Sequence, residues 1–147
     1  MIQDLGRRLH GLVDLVRGGA LRLSNSSVQI RVKATGAISA EDPVMTDGVD
    51  ADNVIQVKRA DGAAASTLPA IGVAPAAIAS GAYGYVTISG PVATTLDTSG
   101  ATLHDPVYVK NTNGISLTAG TVSDKVGLVL VKSATASRIY VMPEQTA

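Results

Sequence analysis

The sequence predicts a mainly β fold: a small antiparallel β-sandwich or barrel-like domain with two related halves, preceded by an N-terminal amphipathic helix or arm. Three observations predict it. Short phrases recur along the chain, apolar residues alternate with polar ones from residue 28 onward, and a helical apolar stripe is confined to residues 2–17. The recurring phrases are Asp42-Pro43-Val44 with Asp105-Pro106-Val107, Ile71-Gly72-Val73 with Val126-Gly127-Leu128, and Gly84-Tyr85-Val86 with Ile139-Tyr140-Val141. The first pair lies 63 residues apart (42 to 105), the other two 55 (71 to 126, 85 to 140), so the second copy has the shorter linker after Asp-Pro-Val. A duplicated strand pattern describes architecture and directs the functional reading towards a structural or binding protein.

The first element is the stripe. Leu5, Leu9, Leu12, Val13 and Val16 fall on one face of a 3.6-residue period, with Arg7, Arg8, Asp14 and Arg17 mainly off it. Gly6 and Gly11 each cost such a helix about 1 kcal/mol against Ala, and Gly18-Gly19 ends it. A helix this short and glycine-bearing is marginal alone in water, so its stripe calls for something to pack on. Leu21 and Leu23, then Val28, Ile30 and Val32, alternate with polar residues, as half-buried strands do, around a turn at Ser24–Ser27. Further strands are expected over 28–34, 43–46, 54–58, 70–75, 84–89, 106–110, 114–118, 125–131 and 137–142. Turn dipeptides divide them: Asp47-Gly48, Asp61-Gly62, Ser80-Gly81, Gly90-Pro91, Ser99-Gly100 and Asn113-Gly114. Asn113-Gly114 is a short hairpin signal. Residues 62–66, Gly-Ala-Ala-Ala-Ser, read as an exposed loop or a short helical turn. The organisation is thus an arm over 1–27 and a β body over 28–147, with halves at about 34–92 and 97–143.

Composition narrows the function. The chain of 147 residues is long enough for one domain with a core, and 46% of it is hydrophobic, yet it has no Phe, no Trp and four Tyr. A core of Val, Ile, Leu and Ala suits thin sheet packing better than a deep aromatic-lined pocket. Cysteine is absent, which removes disulfides, thiolate metal sites and a cysteine nucleophile. No apolar run is long enough to span a bilayer, and Asp4 and Asp14 interrupt the start where a signal peptide would be apolar, so synthesis in the cytoplasm is expected. Net charge is zero but unevenly placed: residues 1–33 hold six basic and two acidic side chains, the remainder six basic and ten acidic. A basic arm on an acidic body can be steered onto another acidic surface, or the charges can simply be solvated.

Catalytic patterns are weak. Asp47, Asp50 and Asp52 with Asn53 offer alternating oxygen ligands of the kind calcium takes, without the ordered spacing or the bidentate Glu of a calcium loop; a polar turn is the simpler reading. His10 and His104 stand alone on separate segments. Gly81–Tyr85 is glycine-rich but has no following helix to receive a phosphate, so a hairpin turn with Tyr85 packed beside it is expected. No nucleophile elbow, phosphate loop or dinucleotide fingerprint is present, no cofactor or metal is expected, and scarce aromatics over an acidic body argue against nucleic-acid binding.

The run Val32-Lys33-Ala34-Thr35-Gly36-Ala37-Ile38-Ser39-Ala40-Glu41-Asp42-Pro43-Val44, followed by Pro69–Ala74 and Gly84–Gly90, resembles the small capsid decoration (cement) proteins of tailed bacteriophages. Asp105–Lys110 and Thr118–Gly127 resemble repeats of phage head and tail structural proteins, and the resemblance spans about residues 32–143. Glu41 departs from it, standing where the family often has Gly, and the basic N-terminal segment lies outside the shared pattern. The resemblance implies a β-tulip domain that trimerises on the outer capsid surface of the virion. There it would bridge neighbouring major capsid protein subunits, stabilise the head and perform no catalysis, with no nucleic acid or membrane as direct partner. The arm is then the expected contact with capsid or sister subunit, through Leu5, Arg7, Arg8, Leu9, Leu12, Val13, Val16, Arg17 and Arg22. Two other readings stand beside it: a tail or fibre component such as an adhesin module, and a trimeric β nucleotide hydrolase.

Overall fold

A computed structural model describes residues 21–24 and 26–144. The helix expected over residues 2–17 lies outside these residues. Ten strands follow in order: β1 (Leu21–Ser24), β2 (Ser27–Ala34), β3 (Pro43–Val49), β4 (Ile55–Arg59), β5 (Gly72–Val73), β6 (Tyr83–Thr94), β7 (Pro106–Val109), β8 (Ile115–Ser116), β9 (Lys125–Val131) and β10 (Ser137–Val141). A 3-10 turn at Ala65–Thr67 occupies the alanine-rich loop, the second of the two forms expected there.

The strand order is β1-β2-β4-β3-β5-β6-β10-β9-β7-β8, with a further pairing of β2 to β6. That pairing closes β2-β4-β3-β5-β6 into a five-stranded barrel. Of the two forms expected, sandwich or barrel-like, the first half takes the barrel, and the second half is an open sheet that grows from it. Closure needs one parallel contact, Lys33 beside Gln56 and Ala34 beside Val57 between β2 and β4, where the sequence reading expected antiparallel pairs throughout. Closing the sheet also removes exposed strand edges that would otherwise invite aggregation.

The second correction concerns Gly90-Pro91, expected as a turn. β6 runs straight through it for 12 residues. Gly90 takes φ +109°, and the strand bends there while changing partners, from β2 and β5 to β10. A side chain at Gly90 would stand 2.7 Å from the Ser27 Cα, so the backbones of β2 and β6 touch at the bend. The Ser27 hydroxyl donates to the Pro91 carbonyl across it. β6 is therefore the shared spine of the two halves.

Each half has its own core. Val32, Ala34, Ile38, Val44, Val57, Ala74, Ile78 and Val86 fill the barrel. Val92, Val107, Val109, Val126, Val129, Ile139 and Val141 on the second sheet pack against Ala60, Ala70 and Val73 of the first half. The largest fully buried side chains among the described residues are those of Val, Ile139 and Thr87, as a chain without Phe or Trp requires.

The duplication is real in three dimensions. Val44 pairs with Gly72, and Val107 with Gly127. Both Asp-Pro-Val phrases begin with the same turn: the Asp42 carboxylate accepts the Ser39 N–H, and the Asp105 carboxylate accepts the Thr102 N–H. Glu41 and His104, which precede the aspartates, both take φ +72°. The Glu41 N–H donates to Ala74 and the His104 N–H to Val129, equivalent carbonyls in the two copies. Ala79–Ala82 makes the same turn a third time, with Gly81 at φ +77° and the Gly81 N–H on the Ala34 carbonyl. The third sequence landmark is two residues out of register. Val73 faces Thr87, whereas its counterpart Leu128 faces Tyr140, so Thr87 and not Tyr85 is the structural equivalent of Tyr140. A slip of two preserves the face, which is why the phrases still match.

Candidate functional site

The outer surface of β1, β2 and β6 gathers charge and aromatic side chains that the sequence spreads over 64 positions. Alternation puts Gln29, Arg31 and Lys33 on one side of β2 and Tyr83, Tyr85 and Thr87 on the same side of β6. The register sets Arg31 opposite Tyr85 and Lys33 opposite Tyr83. β1 adds Arg22 opposite Gln29. The guanidinium of Arg22 lies 3.7 Å from the Tyr85 ring centroid, that of Arg31 4.3 Å from Tyr83, and the Lys33 ammonium 5.4 Å from Tyr83. Each such contact contributes roughly 0.5–1 kcal/mol at an exposed site and holds long side chains in one arrangement. Arg22 Nε also donates to Gln29 Oε1 at 2.6 Å, and Gln29 Nε2 to Thr87 Oγ1 at 3.2 Å, a polar line across three strands.

Asp50 fixes the far end of this face. Its carboxylate accepts the Val54 and Asp52 N–H groups and the Tyr83 hydroxyl, with Lys33 3.9 Å away. The Val54 hydrogen bond, helped by Tyr83 and opposed by partial burial, holds its carboxyl below the ordinary range. In return the bond to Asp50 raises Tyr83 above the usual phenol. A second member of the acidic cluster that had a calcium reading is engaged too: Asp47 pairs with Lys58 at 2.9 Å and accepts from Thr35, and those bonds keep it below its ordinary value. The cluster is the polar turn between β3 and β4, and it braces the tyrosine face.

Two clefts border the bend in β6. One, of about 300 Å³, is lined by Arg22, Gln29, Thr87, Pro75, Pro91 and Ala93. The second, of about 290 Å³, is lined by Glu41, Thr95, Lys110 and Asn113 among others. There the Glu41 carboxylate accepts both the N–H and the hydroxyl of Thr95, at 2.6 and 2.9 Å, tying the barrel's first turn to the start of the second half. Asp124 is the buried acid of the junction. It takes the Ala70 N–H on one oxygen, leaving the other without a hydrogen-bond partner among the described residues. Burial raises its carboxyl above the ordinary range, against the Ala70 bond and with a smaller push from Glu144.

Of the contact residues expected from sequence, Arg22 is on this face, while Leu5, Arg7, Arg8, Leu9, Leu12, Val13, Val16 and Arg17 lie outside the described residues, as does His10. Tyr85 sits on β6 beneath Arg22, after the turn that Gly81 makes before β6 begins. Sequence reasoning missed Arg31, Lys33 and Tyr83. The signal was present as two period-2 triplets, 29-31-33 and 83-85-87, whose partnership only the register reveals. Basic and tyrosine side chains held over one another on a sheet surface favour a macromolecular partner: Arg and Tyr are the residues that most often carry interface energy.

No protein-family model matches the chain, and no curated protein matches it by sequence. Among solved structures, the fold is similar to the N base of the head fibre gp8.5 of bacteriophage phi29, with a TM-score of 0.51 at 10% identity. The match covers 80% of this chain and 98% of that one.

Proposed function

We propose that this chain is a non-enzymatic structural protein of a tailed-phage head, which binds the outer capsid surface and stabilises it by bridging major capsid protein subunits. The observation that carries the reading is the shared fold: nearly the whole of a phage head-fibre base superposes on it. The decoration-like phrases of residues 32–44, 69–74 and 84–90 support the same class from sequence. A trimer suits the role, because a capsid offers repeated sites and cyclic assembly multiplies weak contacts. The fold likeness also favours a second reading, a base module that seats a fibre on the head.

The contact surface in this proposal joins the basic arm, Arg7, Arg8 and Arg17 with the stripe of Leu5, Leu9, Leu12, Val13 and Val16, to the face of Arg22, Arg31, Tyr83 and Tyr85. A cationic, tyrosine-bearing patch fits an acidic protein surface. Co-sedimentation of the purified chain with undecorated capsids of its own phage tests it. Binding that saturates, and that falls about tenfold or more in Arg31→Ala combined with Tyr85→Ala, supports the proposal. Absence of binding by the unaltered, folded chain overturns it.

A further inference from the structure

Three features follow one another along the outward side of β6. Alternation puts Tyr83, Tyr85 and Thr87 on that side, so neighbouring positions stand about 7 Å apart. Arg31 lies over the first ring, and Arg22, reaching across β2, lies over the second. The cleft of about 300 Å³ opens at the third position: register puts Arg22, Gln29 and Thr87 in one row, and all three line it. The face thus presents cation, cation and cleft at the spacing of alternate residues in a strand.

The chemistry of each position says what it takes. Arg22 and Arg31 are exposed, and among the described residues no carboxylate pairs with either. The ring beneath each guanidinium holds it in place, which lowers the ordering cost of a forked bond to a carboxylate. In the cleft the polar side chains are already engaged. Arg22 Nε donates to Gln29, Gln29 Nε2 to Thr87, and the Ser27 hydroxyl to the Pro91 carbonyl. A guest there meets the rings of Pro75 and Pro91 and the methyl groups of Ala76 and Ala93, a surface suited to an aliphatic or aromatic side chain.

We propose that this face recognises an extended acidic segment of a partner protein. Two carboxylates, two residues apart, sit on Arg31 and Arg22, and an apolar side chain two residues further on enters the cleft. Charge complementarity and spacing select this partner together. Adjacent side chains of an extended chain point to opposite sides, so only alternate carboxylates reach both guanidiniums. A helix aligns position i with i+4 and not with i+2. The inference deepens the capsid-attachment reading and rests on it for where the segment is found.

The test uses the full chain, labelled with nitrogen-15 and titrated with two end-capped isomers in amide spectra. The first, Leu-Thr-Glu-Thr-Glu-Thr-Leu, has alternate acids and serves either chain direction. The second, Leu-Thr-Glu-Glu-Thr-Thr-Leu, has the same charge and composition with adjacent acids. The alternating isomer is expected to bind about threefold or more tightly than the other, as two exposed ion pairs allow, and to shift amides of β1, β2 and β6. Arg31→Ala should bring the isomers level. Ala93→Tyr, which fills the cleft and leaves both cations in place, should weaken the alternating isomer. Equal affinity of the isomers for the unaltered chain, binding of neither, shifts confined to other strands, or a preference that survives both variants would overturn the inference. Failure of co-sedimentation with the isomer preference intact would overturn the capsid reading alone. Loss of the preference with co-sedimentation intact would overturn the inference alone.

Discussion

Replacing His104 by glycine should stabilise the protein. His104 holds φ +72° in the duplicated turn, a left-handed conformation in which a side chain crowds the backbone. That conformation costs a non-glycine residue about 1–2 kcal/mol. Glycine removes the cost but enlarges the unfolded ensemble by about 0.5–1 kcal/mol, so the net gain is about 0.5–1 kcal/mol. The His104 N–H to Val129 carbonyl bond, 2.8 Å, survives the change. The matched site is the control. Glu41 has the same φ, but its carboxylate makes two bonds to Thr95. Glu41→Gly gains the same backbone relief and loses about 1–2 kcal/mol of these partly solvated bonds, ending neutral or destabilised. Urea unfolding by circular dichroism reads the difference: His104→Gly should raise the midpoint by about 0.3–0.7 M, and Glu41→Gly should leave it level or lower it. A destabilised His104→Gly, or an equal gain in both variants, would refute the reasoning.

Other outcomes follow from the same geometry. At Gly127 a Cβ would lie 2.2 Å from the Tyr140 carbonyl oxygen, a backbone atom that cannot swing away, so Gly127→Ala should cost upwards of about 3 kcal/mol. Loss of the cooperative melt would show it, and a near-native melting temperature would contradict it. Asp124, with its carboxyl raised by burial, binds its proton more tightly folded than unfolded; its ionised form burdens the native state above the folded pKa, and the burden vanishes below the unfolded one. The stability of Asp124→Asn relative to the parent should therefore increase from about pH 4 to pH 7, measured as urea midpoints. Tyr83→Phe removes the hydroxyl that Asp50 accepts at the exposed rim; it should change stability by less than about 0.5 kcal/mol and leave Arg31 and Lys33 over the ring.

Much of the fold was written locally. The nine strands expected from alternation match β2 to β10 within a few residues, because half-buried strands carry their period in the chain itself. Asp-Pro-Val and its glycine partner were readable as a repeat because both copies need the same register, Val opposite Gly. Barrel closure was not legible: it depends on β2 meeting β4 and β6, contacts between residues 23 and 50 to 61 positions apart that no local period records. Gly90-Pro91 misled because a glycine with positive φ serves a bend as well as a turn. Glu41 stands at φ +72°, where glycine is at ease, and the residue present here has its reason in Thr95. On the face of β1, β2 and β6, Arg22 was named from the sequence and the Arg31–Tyr83 pairing was not, since neither triplet is unusual until register places one upon the other.

Labelling of this chain on intact particles of its own phage, by antibody or tag in the electron microscope, tests the central claim most directly. The account predicts many copies distributed over the head and none along the tail. Confinement of the label to the tail, or its absence from purified particles, would contradict it.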